Sequence, residues 1–255
     1  MCTVAIFYKM LETFPVLLAG NRDEFLTRSS LAPHRWEWRE DGRNVPVFAG
    51  VDLQFGGTWM GVNSSGVIAG VTNVSAGPRD PGKASRGHLV LRCLAHRSVR
   101  EIREFLTGGE HASQYNPFNL FCLSRDSAFF LSNATSPPCL RDLEPGIHVL
   151  TNRPAGDPDD PKRIWIEAEL SRIERGDPQS GLVRILSHHA EPAGSPPVCI
   201  HLPGYGTVAS HFLFLGRELR TSRFLYCSGP PCQSGFADLS GELRELFSVG
   251  APAAA

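Results

Sequence analysis

The sequence predicts an α+β fold in which helices are layered on antiparallel sheet. Apolar runs typical of strands come first, then one long helix, more strands, two helices and further strands. Short polar turns such as Asn63-Ser64-Ser65-Gly66 join neighbouring runs in the manner of hairpins. Because no repeat or linker divides the 255 residues, we predict a single domain at residues 1–248 and a disordered tail at 249–255.

The first elements are predicted to be two strands that form a hairpin. Apolar runs at 2–8 and 15–20 are typical of buried strands, and the polar tetrapeptide at 21–24 follows the second run. The polar, tryptophan-bearing segment at 29–44 is predicted to be a loop, and residues 45–50 are predicted to be a short strand.

The remaining elements follow from apolar periodicity and turn residues. Small residues dominate the second strand of the 56–73 hairpin, which indicates close packing against it. The predicted strands are 118–123, 128–133, 146–152, 198–202, 207–215 and 223–227, and the predicted helices are 85–106, 162–175, 180–189 and 239–247.

Composition excludes several classes of function. The chain carries 25 basic and 26 acidic residues without a basic stripe, so we expect no nucleic-acid partner. The seven cysteines are odd in number and scattered, which favours a reducing compartment. Without a membrane-length apolar run or a basic n-region, the predicted location is cytoplasmic and no membrane span is expected. The sequence does not decide whether the chain forms a homo-oligomer.

Cys2 is the strongest candidate for chemistry. Removal of Met1 would leave a thiol and a free α-amine on the same residue. The ordinary pKa values of these groups, roughly 8.5 for the thiol and 7.7–8.0 for the amine, allow proton exchange near neutral pH. One terminal residue can therefore supply both nucleophile and base. The alternative is a structural role, because cysteine is often buried and residues 2–8 would form an ordinary core strand.

Polar residues at strand ends are predicted to complete a site around Cys2. In a hairpin, Arg22 and Asp23 leave the second strand near Cys2, where they could stabilise a thiolate and an ammonium group. Asn73 and Asn152 each end a predicted strand and could donate to an oxyanion. The alternative for all four residues is ordinary turn chemistry.

Further candidates concern substrate, metal and cofactor binding. Asn21 and Trp59 are predicted to contact substrate, although a core position is an equal alternative for the tryptophan. Cys93-x-x-His96 and Cys199-x-His201 are half-sites without a second pair of zinc-type spacing, so no metal is predicted. The sequence has no P-loop, GxGxxG or GxSxG motif, and no cofactor is expected.

Several of these motifs together resemble the NRDE family, named for its tetrapeptide, which includes transport and Golgi organisation protein 2. The resemblance rests on MCTVAIFY, AGNRDEFLTR, GGTWMGVNSSGVIAGVTN, SRGHLV, YNPFNLF, GIHVLTN and LPGYGT, which span residues 1 to about 210 in order. The family usually has arginine after Tyr-Gly-Thr, where this chain has Val208. If that arginine acts at the site, it is missing here unless Arg220 or Arg223 replaces it.

More distantly, MCT, GNRDE and VNSSGVIAGVTN resemble the cysteine N-terminal-nucleophile amidases, namely bile-salt hydrolases and penicillin V acylases. This resemblance implies an αββα sandwich and removal of Met1. It also implies Cys2 as nucleophile, Arg22 supporting the thiolate, Asp23 holding the amine and Asn73 at the oxyanion, with Asn152 as a less secure counterpart.

The predicted function is that of a cysteine amidohydrolase or acyltransferase acting on the amide bond of a small acylated metabolite or peptide. The alternative is a non-catalytic carrier that binds haem, a lipid or acyl-CoA in the same cleft. Fold alone does not set activity. The amine of Cys2 distinguishes the two functions, because the amidase needs it to be free and a carrier does not.

Overall fold

The structure is a computed structural model that describes residues 3–108, 111–173, 177–191 and 194–249. It confirms the α+β class and the αββα sandwich, because two antiparallel sheets stack face to face between helices. The strands are β1 (Thr3–Tyr8), β2 (Val16–Phe25), β3 (Ser30–Glu40), β4 (Arg43–Asp52), β5 (Met60–Asn63), β6 (Ile68–Asn73), β7 (Phe118–Leu123), β8 (Ala128–Ser132), β9 (Cys139–Asp142), β10 (Gly146–Leu150), β11 (His201–Leu202), β12 (Tyr205–Leu215), β13 (Arg223–Cys227) and β14 (Ala237–Asp238). The helices are α1 (Arg86–Leu94), α2 (Val99–Thr107), α3 (Pro161–Leu170), α4 (Pro178–Leu186) and α5 (Ser240–Val249).

The two sheets have different connectivity. Sheet A has the order β10-β1-β2-β12-β13-β14, with β11 paired to β12, whereas sheet B is a meander in the order β3 to β9. Strands from the two ends of the chain therefore lie side by side in sheet A. Central strand β2 lies between β1 and β12, where it is hydrogen-bonded on both edges.

Three apolar layers hold the sandwich together, as alternation of side chains along each strand requires. The layer between the sheets contains Val4, Leu18, Phe48, Phe121 and Leu213, and α5 closes it with Leu243 and Leu246. A second layer packs α1 and α2 on sheet B. A third packs α3 and α4 on sheet A. Each sheet is thus covered on both faces.

Two sequence predictions about local structure are wrong. Residues 29–44, predicted to be a loop, form all of β3 and the beginning of β4, which pair from Ser30 opposite Asp52 to Glu40 opposite Arg43. The helix predicted at 85–106 is two helices, because Ser98 begins a new one by accepting a hydrogen bond from the backbone N–H of Glu101 at 3.2 Å. A side-chain acceptor at this position favours a helix start over continuation.

Other predictions agree with the structure in kind and differ in their ends. The polar tetrapeptide at 21–24 belongs to β2 itself, which runs to Phe25. The close packing expected on β6 is present at Gly70, because a Cβ there would lie 2.2 Å from the Phe121 ring. The tail predicted at 249–255 lies outside the described residues, apart from Val249 at the end of α5.

Candidate functional site

Consecutive residues of β2 face opposite sides of sheet A. Asn21 and Asp23 lie on the side that packs against the α3 and α4 layer, whereas Arg22 points between the two sheets. This alternation is the ordinary pleat of a strand. The tetrapeptide therefore divides its polar groups between two environments.

Arg22 is a buried cation between the sheets. Its guanidinium lies 4.5 Å from the centre of the Trp59 ring, and its Nη1 donates to Ser30 Oγ at 3.0 Å. Burial lowers the pKa of Arg22, although the nearby charges of Glu24 and Asp52 oppose that effect. Trp59 contributes the stacking surface that fixes the guanidinium plane. Arg22 is thus held rigidly in a partly dehydrated position, where a cation acts strongly on a neighbouring anion.

Asn21 is a structural residue in this fold. Its amide nitrogen donates to the carbonyl oxygens of Leu186 at 2.9 Å and Val198 at 3.0 Å. Its oxygen accepts a hydrogen bond from Ser210 Oγ at 2.6 Å. The contact with substrate predicted for Asn21 would therefore require it to give up buried bonds on the helical side of sheet A.

Asp23 is fixed on the same side of the sheet. Its carboxylate accepts a hydrogen bond of 2.6 Å from Thr207 Oγ1, which in turn accepts one from the backbone N–H of Ile200 at 2.9 Å. Asp23 is 5% exposed, so its charge is almost fully withdrawn from water. These contacts orient the carboxylate from the helical side of the strand.

Asn73 and Asn152 come from different sheets, but a backbone hydrogen bond links the segments that follow the two strands. Asn73 ends β6 in sheet B, and Asn152 follows β10 in sheet A. The backbone N–H of Ser75 donates to the carbonyl of Asn152 at 3.0 Å. Asn73 also lines the same cleft as Arg22. The fold therefore brings both asparagine-bearing strand ends towards the end of the sandwich that holds Arg22.

Cys2 lies outside the described residues, and Thr3 is the first residue of β1. Thr3 is buried and lies opposite Asn21, one residue before Arg22. Strand β1 itself is flanked by β2 and β10, which ends just before Thr151 and Asn152. The chain thus enters the sheet beside the residues predicted to form the site.

The space between the sheet ends is an arginine cleft, so named because Arg22, Arg28, Arg79 and Arg86 line it together with Glu24 and Asp52. Its volume is about 60 Å³, far below the roughly 300–1,000 Å³ of pockets that enclose a drug-sized ligand. A reacting group could enter this space, but a larger ligand would have to extend outside it.

Arg28 binds both acidic groups of the arginine cleft. Its guanidinium forms ion pairs with Glu24, at 3.0 Å, and with Asp52. Burial opposes the charged forms, but these bonds outweigh it, so the pKa of Arg28 is raised and the pKa of Asp52 is lowered. With both carboxylates engaged by Arg28, the cleft keeps an excess of positive charge.

A family model with the description Transport and Golgi organisation 2 matches residues 1–192. The chain belongs to the Transport and Golgi organisation 2 family. It is 26% identical over 257 residues to the Transport and Golgi organization protein 2 homolog of Bos taurus, an alignment that covers 86% of this chain and 90% of that protein. The Homo sapiens homolog is 26% identical, covering 77% and 80% of the two chains. The match to the Mus musculus homolog, at 29% identity, covers 55% of this chain and spans only about half of that protein, 51%.

Solved structures similar to this family member are amidases of the N-terminal-nucleophile fold. A variant of conjugated bile acid hydrolase from Clostridium perfringens superposes with a TM-score of 0.54 at 13% identity, covering 95% of this chain and 94% of that one. Penicillin V acylase from Agrobacterium tumefaciens superposes with a TM-score of 0.52 at 13% identity, covering 95% and 88%. At such identities the comparison establishes the fold alone. Among the described residues, no helix of this Transport and Golgi organisation 2 family member has both the length and the apolar character needed to cross a bilayer.

Val208 stands where the family resemblance leads to an arginine, and Arg220 and Arg223 lie elsewhere in the fold. Val208 occupies an irregularity in β12, where the pairing with β2 shifts between Thr207 and Ala209. Arg223 lies opposite Phe214, towards the other end of β12, with its guanidinium 5.3 Å from that ring. Arg220 lies in the short 3-10 helix after β12. Neither position is next to Val208 along β12, so of the two alternatives the structure favours the one in which the arginine is missing here.

Two titratable residues that were not predicted from the sequence lie on the same face of sheet A as Arg22. His211 on β12 lies opposite Gly20 and is fully buried, which lowers its pKa to about 3. Tyr226 lies opposite His211 on β13, and burial raises its pKa although the charge of Arg22 lowers it. The only sequence signal was a polar residue inside an otherwise apolar strand, which periodicity alone does not distinguish from an outward position.

Proposed function

We propose that this protein is an N-terminal-nucleophile cysteine amidohydrolase or acyltransferase, with Cys2 as its nucleophile. The observation that carries the proposal is the position of Thr3, buried opposite Asn21 in a strand that enters the sheet beside Arg22. A residue that precedes Thr3 is well situated to meet the arginine cleft. The similar amidase structures support the fold on which this chemistry rests.

The proposed reaction proceeds through a thioester. The α-amine of Cys2 takes the thiol proton, and the sulfur forms a bond to the carbonyl carbon of the amide. The C–N bond then breaks, and the ammonium group returns the proton to the leaving nitrogen. Water releases the acid in a hydrolase, whereas a second amine would take the acyl group in a transferase.

Each supporting residue has a role that matches its environment. Arg22 stabilises the thiolate through its buried charge, and Asp23 holds the amine in place. Asn73, in the arginine cleft, donates to the developing oxyanion. Asn152 supports the same region through its backbone bond to Ser75.

The surroundings of the arginine cleft favour an acylated substrate that carries a negative charge. Excess arginine would attract an anionic group such as a carboxylate or phosphate. Large apolar side chains remain exposed on the neighbouring segments and would accept an acyl chain outside the narrow cleft. We call these side chains the apolar rim: Phe55 lines the cleft itself, and Phe25, Leu26, Leu31 and Leu53 are exposed residues close in sequence to the cleft residues Glu24, Arg28 and Asp52.

The same apolar rim favours one second candidate function, a non-catalytic carrier of a lipid or acyl-CoA. Phe25 and Leu26 are 61% and 62% exposed, which is unusual for two adjacent large apolar residues. A carrier would use the rim and the arginine cleft for binding and would not need a free amine on Cys2. The haem alternative has no comparable support on this surface.

The deciding experiment compares three forms of the protein with the same substrates. These are the mature protein that begins at Cys2, the same protein behind a cleavable leader, and the leader form after cleavage. We expect N-acyl amino acids to be hydrolysed by the first and third forms only, because the amine must be free to accept a proton. Intact mass should detect an acyl adduct on Cys2 during turnover.

Variants separate catalysis from binding in that experiment. Cys2→Ser should greatly reduce turnover while leaving ligand binding in place. Cys139→Ser is the matched control, since that thiol lies on the distant edge strand β9. Equal ligand binding by all three forms, with turnover in none, would favour the carrier and contradict the proposed enzyme.

A further inference from the structure

Four side chains with metal-binding atoms converge on sheet A, away from the arginine cleft. His189 follows α4, Cys199 and His201 lie at the approach to β12, and Cys232 lies in the turn after β13. One ligand atom from each residue lies within 4.8 Å of all the others. The chain separations, 33 residues between Cys199 and Cys232 and 31 between His201 and Cys232, show that folding assembles the group.

Three ligand-atom distances within this group, those among Cys199, His201 and Cys232, are close to the distances in the coordination shell of a single ion. Cys199 Sγ lies 3.6 Å from Cys232 Sγ and 3.6 Å from His201 Nε2, and His201 Nε2 lies 3.2 Å from Cys232 Sγ. A tetrahedral zinc ion with ordinary Zn–S and Zn–N bonds separates its ligand atoms by roughly 3.3–3.8 Å. Small adjustments would therefore bring the four atoms around one centre.

We propose that His189, Cys199, His201 and Cys232 bind one Zn²⁺ ion. Two cysteines and two histidines in tetrahedral arrangement are a common ligand set of structural zinc sites. Two thiolates would neutralise the charge of the ion, and two neutral imidazoles would complete its shell. Because four protein ligands leave no open position, the ion would stabilise the fold without taking part in catalysis.

Two other uses of these residues fit the geometry less well. A disulfide between Cys199 and Cys232 needs an S–S distance of roughly 2.05 Å, and it would not account for the histidines beside the thiols. The two histidine rings, His189 and His201, lie together beside these thiols, with ring centres 5.1 Å apart. A two-iron cluster would hold the cysteine and histidine pairs on separate irons, whereas here one atom of every residue lies within a single shell.

The proposed zinc site would fix the segment that contacts β2 from the helical side. Ile200, between two of the ligands, exchanges backbone and side-chain hydrogen bonds with Thr207, and Thr207 donates to Asp23. Val198, directly before Cys199, accepts a hydrogen bond from Asn21. An ion that joins His189 and Cys232 to this segment would therefore hold Asn21 and Asp23 in their orientations.

This proposal revises the expectation of no metal. In sequence, Cys199-x-His201 is a half-site because Cys232 comes from a separate loop after β13, and His189, earlier in the same connection as Cys199, does not stand at zinc-type spacing. Cys93-x-x-His96 does not become a site: Cys93 is buried in the core, whereas the His96 ring packs at 5.0 Å from the Phe105 ring. The three-dimensional arrangement decides between the two half-sites.

The test is the zinc content and cobalt spectrum of the full-length protein. We expect about one zinc ion per chain after purification without chelator. Replacement by Co²⁺ should give the intense visible bands of a tetrahedral thiolate complex. Cys232→Ser and His189→Asn should lose zinc and these bands, and Cys139→Ser should keep both. Ligand residues His189 and Cys232 are exposed, which favours folding of these variants.

A second measurement keeps the test decisive if a variant fails to fold. Chelation of the wild-type protein should lower its thermal midpoint, and equimolar Zn²⁺ should restore it. Absence of zinc, together with no cobalt bands and no response to chelator, would overturn the proposal. A mass two hydrogens lower under native conditions, with Cys199 and Cys232 recovered in one disulfide-linked peptide, would replace it with the disulfide.

Discussion

Arg22 is the residue on which the chemistry of the cleft depends. Its guanidinium is fixed between Trp59 and Ser30, and it is 4% exposed. A cation held in this way keeps its orientation when a neighbouring group ionises, so it adds stabilisation without reorganisation. Asp23, one residue later, faces the other side of the sheet, where Thr207 fixes its carboxylate.

We predict that Arg22→Ala slows alkylation of Cys2 in the mature protein by about tenfold, because the thiol loses the cation that favours its thiolate. The measurement is the rate of iodoacetamide labelling at Cys2, followed by mass spectrometry at neutral pH. Arg100→Ala is the matched control, since Arg100 is an exposed helix residue paired with Glu104. Equal rates in both variants would remove Arg22 from the proposed role.

His211 makes stability depend on pH in the acid range. Its pKa is about 3 in the folded protein, because it is buried, against roughly 6.5 in the unfolded chain. Between these values only the unfolded state gains the proton. The free energy of unfolding therefore falls as pH falls, at up to about 1.4 kcal/mol per pH unit from this residue.

We predict that His211→Phe flattens this dependence. Phenylalanine cannot take up a proton in the unfolded state, and it retains a ring beside Phe224, which His211 faces at 6.1 Å. Urea unfolding of wild type and variant at several pH values between 4 and 7 measures the slope. A slope as steep in the variant as in the wild type would show that other groups carry the acid sensitivity.

At the scale of single residues, polar residues can be identified from the sequence, but the side of the sheet that each one faces cannot. The residue types at 21–23 were evident, whereas the orientation of Asn21 towards the helical layer on sheet A depends on where α4 and the segment before β11 pack. Carbonyls of Leu186 and Val198 meet Asn21 only in the folded chain, 165 and 177 residues away. For the same reason, the sequence did not show that His189 and Cys232 lie beside Cys199 as possible metal ligands.

At the scale of elements, the start of α1 is positioned by contact between two backbones. Gly57 and Gly87 approach so closely that a Cβ on Gly57 would lie 2.7 Å from the Gly87 carbonyl carbon. This contact places the loop that carries Phe55 and Thr58 against the helix and forms one wall of the arginine cleft. Both glycines are thus required for steric reasons.

We predict that Gly57→Ala lowers the free energy of unfolding by about 1–3 kcal/mol, because the added methyl must displace backbone. It should also alter the arginine cleft and slow labelling of Cys2. Gly241→Ala is the matched control: a Cβ there meets no atom within 4 Å, and alanine in a helix should stabilise by up to about 1 kcal/mol. Equal stability of the two variants would contradict the close approach.

Sequence patterns identified elements with strong periodicity and missed those with mixed exposure. Strands such as β1 and β7 are buried along their whole length, which made their apolar runs clear. Strand β3 alternates between half-buried and exposed positions and contains a proline, so its polar composition resembled a loop. Its pairing with β4 supplies the stability that its own sequence does not indicate.

At the scale of the whole molecule, sheet A unites both ends of the chain. Strand β12, which follows residue 192, pairs with β2 along ten positions from Val16 to Phe25. The family match ends before this strand, although the fold cannot close without it. Motif order predicted the sandwich, but the sequence after 216 gave no motif from which the position of β13 or α5 could be inferred.

We predict that a fragment of residues 1–192 does not fold, because it leaves β2 with an unpaired edge and exposes the apolar layers that β12, β13 and α5 cover. Circular dichroism and hydrogen exchange of the fragment should show no protected sheet. A chain that ends at residue 249 is the control and should fold. A cooperative unfolding transition in the shorter fragment would contradict this view of sheet A.

The pairing of β2 with β12 also sets the order of events during synthesis. Asn21 and Ser210, bonded in the folded chain, are 189 residues apart, so at translation rates of about 5–20 residues per second β2 waits roughly 10–40 s for its partner. During that interval an apolar central strand is open to wrong pairing. The nascent chain is thus expected to be a chaperone client, and its yield should respond to translation speed more than that of a protein built from local contacts.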